Sequence, residues 1–194
     1  MPIKLITGPA IEPVSTSDVK TSARIDGTEF DSQATLAIAA MRSQAEARMA
    51  RCLITQTLEL ILDDFPSGEI DLIMPDVLSI TSVKYIDTAG VEQTLINTAY
   101  TLGEDSINAD LYWLYPAQNV AWPATLGSAN AVRIRFTAGY GPAAVDVPND
   151  IRLWIIAHAV QILQSPDGYV EQKFSPLPYV DRLLHPHIIY RHVF

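Results

Sequence analysis

The sequence predicts an α+β fold in which an antiparallel β region is inserted into a helical core. Two changes of period carry the prediction. Residues 31–51 keep helical spacing, residues 55–140 switch to alternation, and residues 149–164 return to helical spacing. A hydrophobic fraction of 48% over 194 residues supplies enough apolar surface for one core, or for one core with a smaller satellite. With only 18% charged residues, the chain lies outside the composition of disordered proteins.

The elements follow in order. Pro9 and Pro13 keep the opening lead extended. Ser15, Thr16 and Ser17 offer N-caps for a short helix to Arg24, with Asp18 favoured by the helix dipole in its first turn. Asp26-Gly27 breaks the chain, and Asp31 or Ser32 caps a long helix to about Arg51. Leu36, Ala39, Ala40, Ser43 and Ala47 share a narrow face of mostly small residues, which lets another helix approach closely. Leu58, Leu60 and Leu62 then alternate with Glu59, Ile61 and Asp63 as a strand. Further strands are expected at Ile70–Leu72, Ile80–Ile86, Val91–Ile96, Tyr100–Leu102, Leu111–Leu114 and Val132–Phe136. Turns stand between them at Pro66-Ser67-Gly68 and Asp87-Thr88-Ala89-Gly90. The total is about six or seven strands. Val147-Pro148-Asn149-Asp150 opens the last long helix, whose apolar face is Ile151, Trp154, Ile155, His158, Ala159, Ile162 and Leu163. The expected organisation is a helical core of 1–54 with 147–172, an inserted β region of 55–146, and an extended C-terminal arm of 173–194.

Charge and cysteine content exclude several classes. The net charge is -9, from 22 acidic and 13 basic residues. A protein that grips nucleic acid needs a basic face. Here Arg42, Arg48 and Arg51, and then Arg133 and Arg135, read as solvated faces of their elements. An acidic balance suits solubility and a surface past which DNA slides without sticking. The single cysteine, Cys52, rules out an internal disulfide and a cysteine-based zinc site, and reads as a small buried hydrophobe. No apolar run approaches the ~20 residues of a membrane span, and the opening lacks a signal-peptide pattern. The expected compartment is the cytoplasm of the cell that makes the protein.

No constellation for chemistry emerges. Gly139-Tyr140-Gly141 lacks the third glycine and the lysine of a phosphate loop, and Pro142 follows at once, so it reads as a turn that ends a strand. His185, His187 and His192 are set on an extended, proline-containing segment and fall short of a zinc ligand set. His158 reads as a core or interface residue. Asp63 with Asp64, and Asp146 with Asp150, sit at element ends where Asp commonly caps. No Ser-centred nucleophile elbow occurs. No catalytic residue, cofactor site or metal site is therefore expected. Tyr112, Trp113, Tyr115 and Trp122 leave open a second class, a monomeric carbohydrate- or peptide-binding β module with helical flanks.

The C-terminal stretch is unusually apolar for a chain end. Leu183, Leu184, Ile188, Ile189, Tyr190, Arg191, Val193 and Phe194 form a candidate docking arm, with Pro176, Pro178 and Pro186 discouraging a continuous helix. The bland alternative is that the stretch packs on its own chain. The arm reading expects the chain from about Lys173 onward to leave the subunit.

Several stretches, taken in order, resemble the head-tail connector (adaptor) family of long-tailed phages and gene transfer particles. Ile6-Thr7-Gly8-Pro9-Ala10, Glu12-Pro13-Val14-Ser15, Asp18-Val19-Lys20 and Arg24-Ile25-Asp26 are similar to the family's entry helix. Phe65-Pro66, Gly68, Ser82-Val83, Tyr85-Ile86-Asp87, Gly90 and Gln93-Thr94-Leu95 are similar to its β insertion. Trp122-Pro123, Val132 to Gly141, Val147-Pro148 and Asp150-Ile151 resemble the approach to its last long helix, and Leu183-Leu184, Pro186 and Arg191 its C-terminal stretch. At the end of that helix the family often has an aromatic and an Arg-Glu pair, where this chain has Gln161-Ile162-Leu163-Gln164-Ser165-Pro166. The resemblance implies a homo-oligomeric ring of about twelve copies. The ring would sit below the portal protein at the virion neck, extend the DNA channel without sequence-specific binding, and offer its far face to the next tail or neck component. On this reading the docking arm meets the portal.

Overall fold

The structure is a computed structural model and describes residues 3–104, 111–164 and 178–189. It is α+β, and the chain divides into two compact units, each with its own buried residues. One unit joins Met1–Ala10 to Thr55–Tyr140, and the other joins Ile11–Ile54 to Gly141–Phe194.

The first unit is built of β1 (Ile3–Thr7), β2 (Gln56–Leu62), β3 (Ile70–Asp71), β4 (Val77–Ile86), β5 (Glu92–Leu95), β6 (Tyr100–Glu104), β7 (Tyr112–Pro116) and β8 (Val132–Ala138). Five strands form one antiparallel sheet in the order β1-β2-β8-β4-β5, and three form another in the order β3-β7-β6. Alternation explains the first sheet. Leu60 pairs with Ile3 on one side and Ile134 on the other, Ile134 pairs with Val83, and Val83 with Leu95, so one apolar row crosses all five strands. Leu60, Ile134, Val83 and Phe136 are fully buried. The row fixes the register, because a slip of one residue would turn Leu58, Leu60 and Leu62 to the solvent face.

The hairpin between β4 and β5 is held by Asp87. Its Oδ1 accepts the N–H groups of Ala89 (2.9 Å) and Val91 (3.0 Å), while Gly90 adopts a φ of 81°. The hydrogen bonds from the Val91 backbone and the Gln93 side chain hold the Asp87 carboxyl below the usual range.

One expectation is corrected here. The extended lead was grouped with the helical core, but residues 3–7 form an edge strand of the β unit, because their backbone pairs antiparallel with β2 from Ile3 opposite Leu60 to Thr7 opposite Thr57. The expected strands also divide into two sheets, which their individual patterns do not reveal.

The second unit holds α1 (Thr16–Ala23), α2 (Asp31–Met49), α3 (Asn149–Gln164), α4 (Pro178–Asp181) and a 3-10 turn over Arg182–His187. Ser15 and Asp18 cap α1 reciprocally: Ser15 Oγ accepts the Asp18 N–H at 3.1 Å, and Asp18 Oδ2 accepts the Ser15 N–H at 3.0 Å. α2 begins differently from expectation. Phe30 occupies the N-cap without a side-chain bond, and Asp31 is freed to pair with Lys20.

The helix α3 packs on α1, on α2 and on the 3-10 turn. Its buried face is Ile151, Trp154, Ile155, Ala159 and Leu163, close to the expected stripe, while Ile162 lies off it at 43% exposure. The contact face expected for α2 is corrected. Ala34, Ala37, Ile38, Ala45 and Met49 are buried, whereas Leu36 is 72% exposed and Ala40, Ser43 and Ala47 are exposed. Ile38 and Met49 bury more apolar area than the small-residue stripe could, and that decides the helix's rotation. Cys52, Leu53 and Ile54 are buried just after α2.

The contrast between Phe136 and Leu36 is testable by chemical denaturation. Phe136→Ala should cost about 3–5 kcal/mol through the cavity it leaves. Leu36→Ala should change stability by no more than about 0.5 kcal/mol. Equal losses at the two positions would contradict the assignment of buried faces.

Candidate assembly surfaces

Residues 178–189 pack on the helices of their own chain. Val180 and Leu184 are buried, at 2% and 1% exposure, and the Ile189 N–H donates to the Met49 carbonyl at 3.4 Å. His187 Nε2 lies 2.7 Å from Asp150 Oδ2. The expectation that the chain leaves the subunit from about Lys173 is therefore corrected for this segment, and with it the reading of Leu184 as a docking residue. Leu183, Ile188 and Ile189 remain half-buried. Tyr190, Arg191, Val193 and Phe194 lie outside the described residues.

Trp154 supplies the physical reason for the fold-back. Its ring is fully buried, so its indole N–H needs an acceptor inside the unit. Asp181, at the end of α4, provides one: Trp154 Nε1 donates to Asp181 Oδ1 at 3.2 Å. Arg48 Nη1 donates to the same oxygen at 3.2 Å, and the Arg48 guanidinium lies 5.2 Å from the Trp154 ring centroid. His158 packs on Trp154 with ring centroids 4.2 Å apart, and its Nε2 is 3.3 Å from Asp181 Oδ1, off the line of a hydrogen bond. Burial alone would raise the Asp181 pKa. The hydrogen bonds from Trp154 and Arg48 and the nearby cationic groups outweigh that and hold the carboxyl below its usual range.

The other candidates separate into structural roles. Asp63 Oδ1 accepts the Asn130 N–H at 2.8 Å, and Asp64 Oδ1 accepts from Phe65 N and Thr125 Oγ1, each at 2.7 Å. Asp146 Oδ2 accepts the Ala143 N–H at 2.8 Å. Gly139 ends β8 with a φ of 133°, and its N–H donates to the Asp76 carbonyl at 3.1 Å. His185 is exposed, and His192 lies outside the described residues. Among the described residues, no group of three or more His, Cys, Asp or Glu converges as metal ligands. No helix among them is long and apolar enough to cross a membrane.

The four aromatic candidates do not share one plane. Trp113 and Tyr115 point to one face of β7 and Tyr112 to the other. Gly103, opposite Trp113, leaves room for the Tyr115 ring, since a Cβ there would stand 2.7 Å from Tyr115 Cε2. Trp122 stacks on Phe65 with centroids 5.0 Å apart, and its indole N–H is engaged by the Gly68 carbonyl at 2.7 Å. A hollow of about 400 Å³ beside them is lined in part by Asp64, Phe65, Glu69, Asp71 and Trp113.

Sequence reasoning missed the grouping of charges on the five-stranded sheet. Lys4 on β1 pairs in register with Glu59 on β2, Glu59 with Arg135 on β8, and Arg135 with Ser82 on β4. In the adjacent row Arg133 pairs with Lys84, and Lys84 with Thr94. Arg135 Nη2 is 2.9 Å from Glu59 Oε2, Lys84 Nζ is 2.8 Å from Glu92 Oε1, and Arg133 also bonds Glu92. These bonds, led by the one from Lys84, hold the Glu92 carboxyl below its usual range. The pattern was hidden because Lys4 and Lys84 lie far from Arg133 and Arg135 in sequence.

Comparison with known proteins adds the fold. No family model matches the chain, and no curated protein matches it by sequence. Three solved structures contain chains that it resembles from end to end, covering 100% of this chain and 98% of the other in each case. One is the neck of an empty gene transfer agent (GTA) particle computed with C6 symmetry, with a TM-score of 0.82 and 18% identity. Another is the virion of a native GTA particle, with a TM-score of 0.77 and 22% identity. The third is the neck of a native GTA particle computed with C12 symmetry, with a TM-score of 0.74 and 19% identity. The chain shares their fold.

The Asp181 cluster yields a pH-dependent prediction. A carboxyl with a lowered folded pKa stabilises the fold above its unfolded value, and the contribution is lost as pH falls through the folded value. Asp181→Asn should therefore reduce stability by about 1 kcal/mol at neutral pH, the side chain being partly exposed and screened. It should also flatten the loss of stability on acidification, as measured by denaturant midpoints across pH. An unchanged acid limb would contradict the role given to Asp181.

Proposed function

We propose that this protein is a structural, non-enzymatic subunit of the neck of a phage-like particle. In this reading it is a head-tail connector that forms a ring below the portal, extends the DNA channel and links head to tail. The observation that carries the reading is the end-to-end fold similarity, at a TM-score of 0.82, to a chain in a particle neck. The C6 and C12 symmetries of two of those structures support a ring as the working form. The net charge of -9 suits a channel lining that does not retain DNA.

Contact with the portal is assigned to the chain end. Tyr190, Arg191, Val193 and Phe194 would reach the partner, and the half-buried Leu183, Ile188 and Ile189 would form the root of the arm. An extended apolar end can complete an exposed sheet edge on a partner, with backbone bonds supplying affinity and alternate side chains supplying fit.

The test is the behaviour of the purified chain on concentration. Sedimentation velocity should show self-association that rises with concentration, and negative-stain images of the heavy fraction should show closed rings. A chain that stays monomeric at every concentration and is retained on a sugar column would instead favour the carbohydrate-binding module.

A further inference from the structure

We infer that the charged outer face of the five-stranded sheet is a docking surface for a second copy of this chain. The inference rests on the ring reading above and names the surface through which neighbouring copies meet. The stretches that build the β unit contain four basic residues, and all four stand on this one face: Lys4, Lys84, Arg133 and Arg135. The same stretches contain eleven acidic residues. Within the five strands of the sheet, only Glu59 and Glu92 of these share the face. A face that was merely solvated would carry both signs in the proportions of its unit, and this one inverts them.

The face is open. The side chains of Lys84, Arg133 and Arg135 are 43%, 37% and 41% exposed, and Lys4 is exposed.

The choice of occupant follows from charge. Outside this face the chain keeps twenty acidic against nine basic residues, so a second copy offers a strongly negative surface to a net positive one. Two copies meeting face to face would set like charges against each other. The favoured contact is therefore between this face and a different surface of the neighbour, the head-to-tail kind that closes into rings.

A nucleic acid is the weaker occupant. Phosphate binding scales with the number of cations free to displace counterions. Here Glu59 is bonded to Arg135, and Glu92 to both Lys84 and Arg133. Those carboxylates would repel phosphates lying across the same rows. On a protein partner, alternating signs serve instead to fix register.

The test uses the full chain at a concentration where it associates. Unlabelled chain is mixed with ¹⁵N-labelled chain and treated with a carbodiimide, which condenses a lysine amine with a touching carboxylate. Mass spectrometry then identifies links between a labelled and an unlabelled peptide. The chain has four lysines, Lys4, Lys20, Lys84 and Lys173, so the donors are distinguishable. Links between copies should start from Lys4 or Lys84 and end on carboxylates outside the sheet face.

The double variant Lys4→Gln/Lys84→Gln leaves Arg133 on Glu92 and Arg135 on Glu59. It should melt like the parent and self-associate about tenfold more weakly, and high salt should weaken the parent in the same direction. Association that ignores both salt and the variant, with links only from Lys20 or Lys173, would overturn this surface and leave the ring reading standing. A chain monomeric under all conditions would overturn both. Binding of random-sequence duplex DNA that the double variant loses, with self-association unchanged, would assign the face to phosphates and overturn the inference.

Discussion

The buried indole of Trp154 is the constraint on which the helical unit depends. α3 is apolar around most of its circumference, with Asp150, Arg152 and His158 its only charged or titratable side chains. Such a helix has to be covered on several sides. α1 and α2 cover two of them. The sealed N–H of Trp154 still requires an acceptor, and an unsatisfied one would cost about 1–3 kcal/mol. Asp181 supplies the acceptor, so the short helix and 3-10 turn around it are drawn onto α3, with Val180 and Leu184 buried beneath. Arg48 then answers the charge of Asp181 from α2. One buried polar atom thus ties together three elements that are distant in sequence.

The β unit obeys a comparable rule with different means. β8 lies at the centre of the five-stranded sheet, and its alternation of Val132, Ile134 and Phe136 with Arg133, Arg135 and Thr137 creates two dissimilar faces. The first set makes the core. The second set, extended by Lys4 and Lys84 from neighbouring strands, makes a charged surface whose sign is opposite to that of the chain as a whole. Both faces come from a single period-two pattern, and the assembly role proposed for this chain draws on the outer one.

Much of this was legible in the sequence, and the failures have physical causes. The bounds of α3 were readable because its stripe is strong and Pro148 marks its start, although Ile162 of that stripe lies off the buried face. The hairpin at Asp87 was readable because an Asx turn has its own chemistry. α2 misled, since Leu36 and the small residues after it form a plausible face, while the face actually buried carries Ile38 and Met49, and α2 packs on α3, which is distant in sequence. β1 was missed because two prolines follow it and its pairing partner begins some fifty residues later. The C-terminal segment was read as an arm because proline and apolar content do not reveal that Trp154 lacks an acceptor until Asp181 arrives. The charged sheet face could have been found only by knowing the strand order.

The most direct test of the assembly role is an image of the particle itself. Particles made by cells that carry this gene, with the chain bearing a compact density label after a short linker, can be examined by electron cryomicroscopy. The account predicts a ring of label at the junction of head and tail, with about as many copies as the portal's symmetry allows. Label scattered over the head, confined to the far end of the tail, or absent from intact particles would contradict it.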